Sequence, residues 1–188
     1  MQELNVTKRE FLKILESFIY DKEYQLPGDF QNLTDLWNLS AEHQMVAAVY
    51  EKIRRSVVCA DPENVQLLGL WKRSAMKDIM LQIQRAEGFL RVYEKLREAG
   101  VKPLVVKGCI CRNLYTMSDY RISGDEDMLI RKEEFELCDQ ILQKEGLLRE
   151  ELDMEHLPYE IPYRNPKNGV YIELHFHYFQ RKQELMDI

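Results

Sequence analysis

No stretch of this 188-residue chain approaches the roughly 20 consecutive apolar residues that a membrane-spanning helix needs. Runs such as Met45–Tyr50 stop far short, and the acidic start Met1-Gln2-Glu3 lacks the basic flank of a signal peptide. A cytoplasmic protein with no membrane partner is expected. Cysteine is scarce: Cys59, Cys109, Cys111 and Cys138 show no zinc-ribbon spacing and are too few for a secreted disulfide scaffold, so they read as reduced, mostly buried thiols. With only 8 Gly, 6 Pro and no repeat, linker or biased tract, disorder is excluded as the main state. An excess of positive charge is missing too. Lys plus Arg at 26 against Asp plus Glu at 32 leaves a net charge of -6, which argues against a protein whose affinity comes from neutralising many nucleic-acid phosphates. A single nucleotide carried by Mg²⁺ stays compatible, because the ion brings the positive charge. What the chain does have is 45% hydrophobic residues, enough for a real core.

The hydrophobic pattern divides the chain into a helical half, residues 1–99, and an α/β half, residues 100–188, with a packed joint near Gly100. In the first half Phe11, Leu12, Ile14, Leu15, Phe18 and Ile19 recur at helical spacing. A second apolar face, Leu36, Trp37 and Leu39, is expected to stop at Ser40, which is then an N-cap for a helix carrying Met45, Val46, Val49 and Ile53. One long helix is predicted from about Asn64 to Ala99, with Met76, Ile79, Met80, Ile83, Ala86, Leu90 and Tyr93 as its core stripe, widened by Phe89 and Leu96, Gly69 and Gly88 as potential breaks and Gly100 as its C-terminal cap. Beyond Gly100 the period shortens to two. Leu104-Val105-Val106 reads as a buried strand, Gly108 as a turn into a short helix, Asp127–Ile130 as a second strand and Lys132–Glu145 as an amphipathic helix stopped by Gly146. Asn165-Pro166-Lys167-Asn168-Gly169 is turn chemistry joining extended segments at Leu157–Arg164 and Val170–Phe179 into an antiparallel hairpin.

The chemistry concentrates in Arg121-Ile122-Ser123-Gly124-Asp125-Glu126-Asp127. Alternation along a strand sends Asp125 and Asp127 to one side with Cα atoms roughly 6.5 to 7 Å apart, where two carboxylates repel unless a proton or a divalent cation intervenes. Mg²⁺ is the natural guest for such hard oxygens. Glu173 supplies a third acid on a strand whose other face, Ile172, Leu174 and Phe176, is apolar.

The ordered set Pro103-Leu104-Val105-Val106-Lys107-Gly108, Leu114-Tyr115, Arg121, Gly124-Asp125-Glu126-Asp127-Met128-Leu129-Ile130 and Glu173-Leu174-His175 resembles the uncharacterised nucleotidyltransferase family of the DNA polymerase β-like superfamily, across about Leu33 to Phe179. The resemblance implies an α+β fold: an N-terminal helical domain, with a tryptophan-bearing helix like that at Trp37, followed by a small polymerase-β-like mixed sheet with flanking helices. It implies Mg²⁺-dependent transfer of NMP from an NTP to an unknown acceptor, with release of pyrophosphate. Asp125, Asp127 and Glu173 are then the catalytic, metal-holding acids, two ions serving the active complex, and Glu173 also readies an acceptor hydroxyl. Lys107, Gly108, Cys109, Arg121 and Gly124 contact the nucleotide phosphates, and His175 supports the acids from behind. Three departures accompany the match. Cys109 stands where the superfamily usually has serine. Glu126, in place of an apolar residue, points to the face that is normally packed and must reach solvent or a cation. Family members usually continue further past the third acidic strand, so acceptor-binding elements are expected to be absent here or the chain to be a fragment.

Plainer readings stand beside these. Asp125 and Asp127 can form an acidic turn, Glu173 can pair with Arg164 across the hairpin, Lys107 can be a solvated rim charge, and Arg121 can brace the aspartates. His175 with His177 can bind zinc, and Cys109 or Cys111 can be a reactive thiolate, although neither spacing singles out that chemistry. Two rival functions share the residues: a non-catalytic binding or regulatory module that keeps the fold, and a metal-dependent phosphohydrolase using His175 on a bound water.

Overall fold

The computed structural model describes residues 5–150 and 160–176. The expected strand ends at 157–159 and 177–179, and His177, lie outside the described residues. The architecture is α+β, with a helical region and a five-stranded mixed sheet with flanking helices. Two compact units divide it, one built from described residues up to Ile83 with Arg112–Ile122, the other from Gln84–Cys111 with the described residues after Ser123. No helix among the described residues is long and apolar enough to cross a membrane.

The first unit packs helices α1 (Val6–Ile19), α2 (Leu33–Glu42) and α3 (Val46–Ile53) with the start of the long helix α4 (Val65–Glu98). Asn5 caps α1 by accepting from Lys8 N–H at 2.9 Å, and the stripe Phe11, Ile14 and Phe18 is buried. Ser40 departs from expectation: it lies inside α2, buried, its hydroxyl donating back to the Trp37 carbonyl at 2.7 Å, so it does not cap α3. The break falls at Gln44, in the left-handed region at φ 55. Trp71 of α4 is fully buried, with its indole N–H donating to the Val46 carbonyl at 3.1 Å and its ring edge-on to Trp37.

Helix α4 is unbroken at both glycines, but its buried side is rotated from the predicted stripe. Phe89 and Leu96, expected at the edge of the stripe, are buried with Trp71, Ala75, Gln82 and Val92, whereas Met76, Met80, Ile83 and Leu90 are exposed. The helix carries apolar residues on more than one face, so periodicity alone does not select the packed one. Its end is as expected: Gly100 at φ 88 donates to the Arg97 carbonyl, and Val101 N–H to that of Leu96, a paired motif that satisfies the last carbonyls.

The second unit is built on strands β1 (Leu104–Val106), β2 (Glu126–Leu129), β3 (Leu148–Arg149), β4 (Glu160–Arg164) and β5 (Tyr171–His175), in the spatial order β1-β2-β5-β4-β3. Among the described residues only β2 and β5 run parallel; β1–β2, β5–β4 and β4–β3 are antiparallel. Helices α5 (Gly108–Arg112) and α6 (Phe135–Lys144) follow β1 and β2, and the two-residue β3 had no signal in the sequence. The apolar sheet face, with Met128, Ile172, Leu174, Ile161 and Tyr163 all essentially unexposed, packs with Phe89, Val92, Leu96, Cys138 and Leu142. The expected hairpin forms at Asn165, whose N–H donates to the Val170 carbonyl at 2.8 Å, while Gly169 takes φ 70.

Candidate active site

Sheet register sets the site. Asp127 lies directly opposite Glu173 on the parallel neighbour, and His175, two residues on, shares their face. Both strands put apolar residues underneath, so the polar row is held against a packed layer. Asp127 is 1% exposed, and its Oδ1 lies 2.9 Å from His175 Nε2 and 3.5 Å from Lys107 Nζ. Because an ionised carboxylate only accepts, the imidazole N–H is the donor in the first contact. Oδ2 of Asp127 is buried with no hydrogen-bond partner. Ligand atoms of Asp127, Glu173 and His175 lie within 4.8 Å of one another. Since His175 Nε2 is engaged with Asp127 and lies 3.7 Å from Glu173 Oε2, the two carboxylates are the oxygen donors of this group.

Burial, then repulsion from Glu160, Asp127 and Asp125, raises the Glu173 carboxyl above the ordinary glutamate range, with His175 acting in the opposite sense. That is the behaviour of a carboxyl drawn partly out of water with other acids nearby. The alternative pairing of Glu173 with Arg164 does not form: Glu173 faces Pro162 in the register, and Arg164 sits opposite Tyr171, 3.7 Å from Glu150.

The other sequence-derived candidates take different positions. Asp125 precedes β2, is exposed, and is not in the Asp127–Glu173–His175 group, although its charge acts on Glu173. Gly124 is exposed beside it, and both line a cleft with Arg85, Arg164, Gly169 and Tyr171. Lys107 adopts φ 55, which turns the chain out of β1 and leaves its side chain 62% exposed with the ammonium near Asp127. Arg121 belongs to the first unit, where its guanidinium lies 5.8 Å from the Tyr115 ring centroid.

Of the two outlets expected for Glu126, solvent or a cation, the structure does not use solvent. The residue is buried, and its carboxylate accepts the Cys109 N–H at 2.7 Å; a Cβ on Gly108 would collide with it. The backbone amide of Cys109, one of the residues expected at the phosphates, is thus engaged by the chain itself, because a carboxylate on the packed face of β2 needs a donor and the start of α5 offers one. Cys59 and Cys138 are buried as expected, and Cys109 and Cys111 half-buried.

Arg85 was not legible as part of this region, since nothing around it in sequence marks it. The available signal was Gly88, which the helical pattern marks as a potential break and which in fact marks a close approach: its missing Cβ leaves room for Val170 and Asn168.

A sequence profile of the family described as "Uncharacterised nucleotidyltransferase" matches residues 30–187. No curated protein matches the chain, and no solved structure does.

Proposed function

Because the chain belongs to the uncharacterised nucleotidyltransferase family, we propose that it moves NMP from an NTP to an acceptor hydroxyl in a Mg²⁺-dependent reaction that releases pyrophosphate. The observation that carries this reading is the buried, unpartnered Oδ2 of Asp127 beside the Glu173 carboxylate. An unsatisfied buried polar atom costs about 1–3 kcal/mol, and a ligated cation removes that cost. Asp127 and Glu173, with Asp125 contributing from the mouth of the strand, are the hard oxygen donors that would hold Mg²⁺. Such an ion, when bound, neutralises phosphate charge and polarises the α-phosphate.

The chain's own groups supply the rest. His175 fixes the Asp127 carboxylate by its 2.9 Å contact, so that Oδ2 rather than Oδ1 stays available. Lys107 presents an exposed ammonium at the same carboxylate, where phosphate charge is to be neutralised. Glu173, opposite Asp127 on the adjacent strand, is the acid that readies an acceptor hydroxyl.

One observation favours a second reading: Glu126 already holds the Cys109 amide, which suits a module that binds a nucleotide without turning it over. Incubation of the protein with Mg²⁺, α-labelled or γ-labelled NTP and a pool of hydroxyl compounds separates these. Label from the α position on a product, with pyrophosphate released, is the expected result. Label from the γ position on a product contradicts nucleotidyl transfer, inorganic phosphate as the sole released product points to hydrolysis, and tight binding without turnover supports the binding module.

A further inference from the structure

We propose that the cleft between the C-terminal part of α4 and the β4–β5 hairpin is a phosphate-binding site of this same centre, in which Arg85 and Arg164 hold phosphate groups of a substrate. The inference rests on the nucleotidyl-transfer reading and names residues that neither the motif pattern nor the family description assigns.

The cleft has a volume of about 380 Å³ and brings Arg85, Arg164 and Tyr171 to the side of Asp125. Arg85 has no carboxylate partner among the described residues, and its Nε is buried without a hydrogen-bond acceptor. A guanidinium offers five donors in a fixed fork that matches phosphate oxygens, so an anion in the cleft satisfies the orphaned N–H. Arg164 stacks over the Tyr171 ring at 5.4 Å, which holds the guanidinium in place. Its contact with Glu150, 3.7 Å between side chains that are 65% and 47% exposed, is a weak surface pair that an incoming phosphate can displace. Gly169 keeps the space open: at φ 70 it suits glycine, and a Cβ there would come within 3.4 Å of Arg85 Nε.

Position links the cleft to the acids. Tyr171 and Glu173 share a face of β5 two residues apart, roughly 7 Å along the strand, and Arg164 is the register partner of Tyr171. A ligand whose reacting phosphate sits at Asp127 and Glu173 therefore meets the Arg164 guanidinium one short step away along the sheet, in the cleft that Arg85 and Asp125 also line. The alternative place for those phosphates, the Gly108–Cys109 turn, is filled by the Glu126 carboxylate. Phosphate groups from two sources fit: the diphosphate end of an NTP, or a phosphate carried by the acceptor.

The test is calorimetric titration of the full chain with Mg²⁺-pyrophosphate, for the unsubstituted protein, Arg85→Gln, Arg164→Gln and the double variant, with far-UV circular dichroism confirming the fold. Charge-assisted hydrogen bonds of this kind predict a loss of affinity on the order of tenfold or more for each substitution. Arg85→Lys and Arg164→Lys, which keep the charge but not the fork, should recover only part of it. If saturating Mg²⁺-ATP displaces pyrophosphate, the cleft serves the NTP; if pyrophosphate still binds, it serves the acceptor's phosphate. Equal affinity in the folded double variant, or no pyrophosphate binding by the unsubstituted protein, overturns the proposal. Failure of the nucleotidyl-transfer reading has a different signature: pyrophosphate binding that depends on the arginines, but no transfer of α-label.

Discussion

Two glycines in one helix give predictions of opposite sign. Alanine is favoured over glycine inside a helix by about 1 kcal/mol, so Gly→Ala normally stabilises. At Gly69 the nearest atom to a new Cβ is Arg73 Nη1 at 3.7 Å, the far end of a flexible side chain, and the full gain is expected. At Gly88 the new Cβ would sit 2.5 Å from Val170 Cγ2 and 2.9 Å from Asn168 Nδ2. Neither neighbour yields easily. Val170 is 2% exposed and stiff at χ1, and the Asn168 side chain accepts the Val170 N–H at 3.1 Å. Overpacking of this kind costs about 1–3 kcal/mol, which outweighs the helical gain and leaves Gly88→Ala destabilising by up to about 2 kcal/mol. For a chain of this size the melting temperature moves about 2–4 °C per kcal/mol. Thermal melts followed by far-UV circular dichroism should raise Tm for Gly69→Ala and lower it for Gly88→Ala. Equal or higher stability for Gly88→Ala would refute the close packing of α4 on the hairpin turn, and with it the wall that places Arg85 in the cleft.

Glu126→Ala should cost about 1–3 kcal/mol by stripping the Cys109 N–H of its acceptor, while Glu126→Gln, which keeps an oxygen, should cost distinctly less. Urea titrations decide this, and equal losses would contradict the role given to that hydrogen bond. Burial pushes the Cys59 thiol up to about 11 and that of Cys138 to about 12, the latter helped by Glu134. An unfolded thiol ionises near 8.5, so the folded state binds more protons above that pH; the stability these thiols contribute is complete below about 8.5 and is lost as the pH rises toward 11. Replacing both cysteines with alanine should flatten the decline between about pH 8.5 and 10, and an unchanged slope would contradict it.

Local chemistry made much of the second unit legible. Glycine after an amphipathic run marked the ends of α4 and α6, and Gly146 N–H donates to the Gln143 carbonyl just as Gly100 does to that of Arg97. The Asn165–Gly169 turn fixed the hairpin, and strand alternation put Asp127 on the face that Glu173 and His175 share. Features with two local solutions, or decided by distant contacts, were not legible. Ser40 looks like a cap in sequence, but helix α2 continues through it and its hydroxyl donates to a carbonyl one turn back. The packed face of α4 depends on which layer meets it, and Glu126 could be located only once the start of α5 was beside β2. Asp125 lies just before the strand begins, exposed, lining the cleft and outside the Asp127–Glu173–His175 group, because alternation governs only residues within the strand.

Titration of Mn²⁺, read by electron paramagnetic resonance, into the unsubstituted protein and Asp127→Asn addresses the carboxylate pair most directly. Binding to the unsubstituted protein, competed by Mg²⁺ and lost in the folded variant, is the predicted result. No binding, or equal binding to both proteins, would contradict the assignment of Asp127 and Glu173 as ligands of a divalent cation.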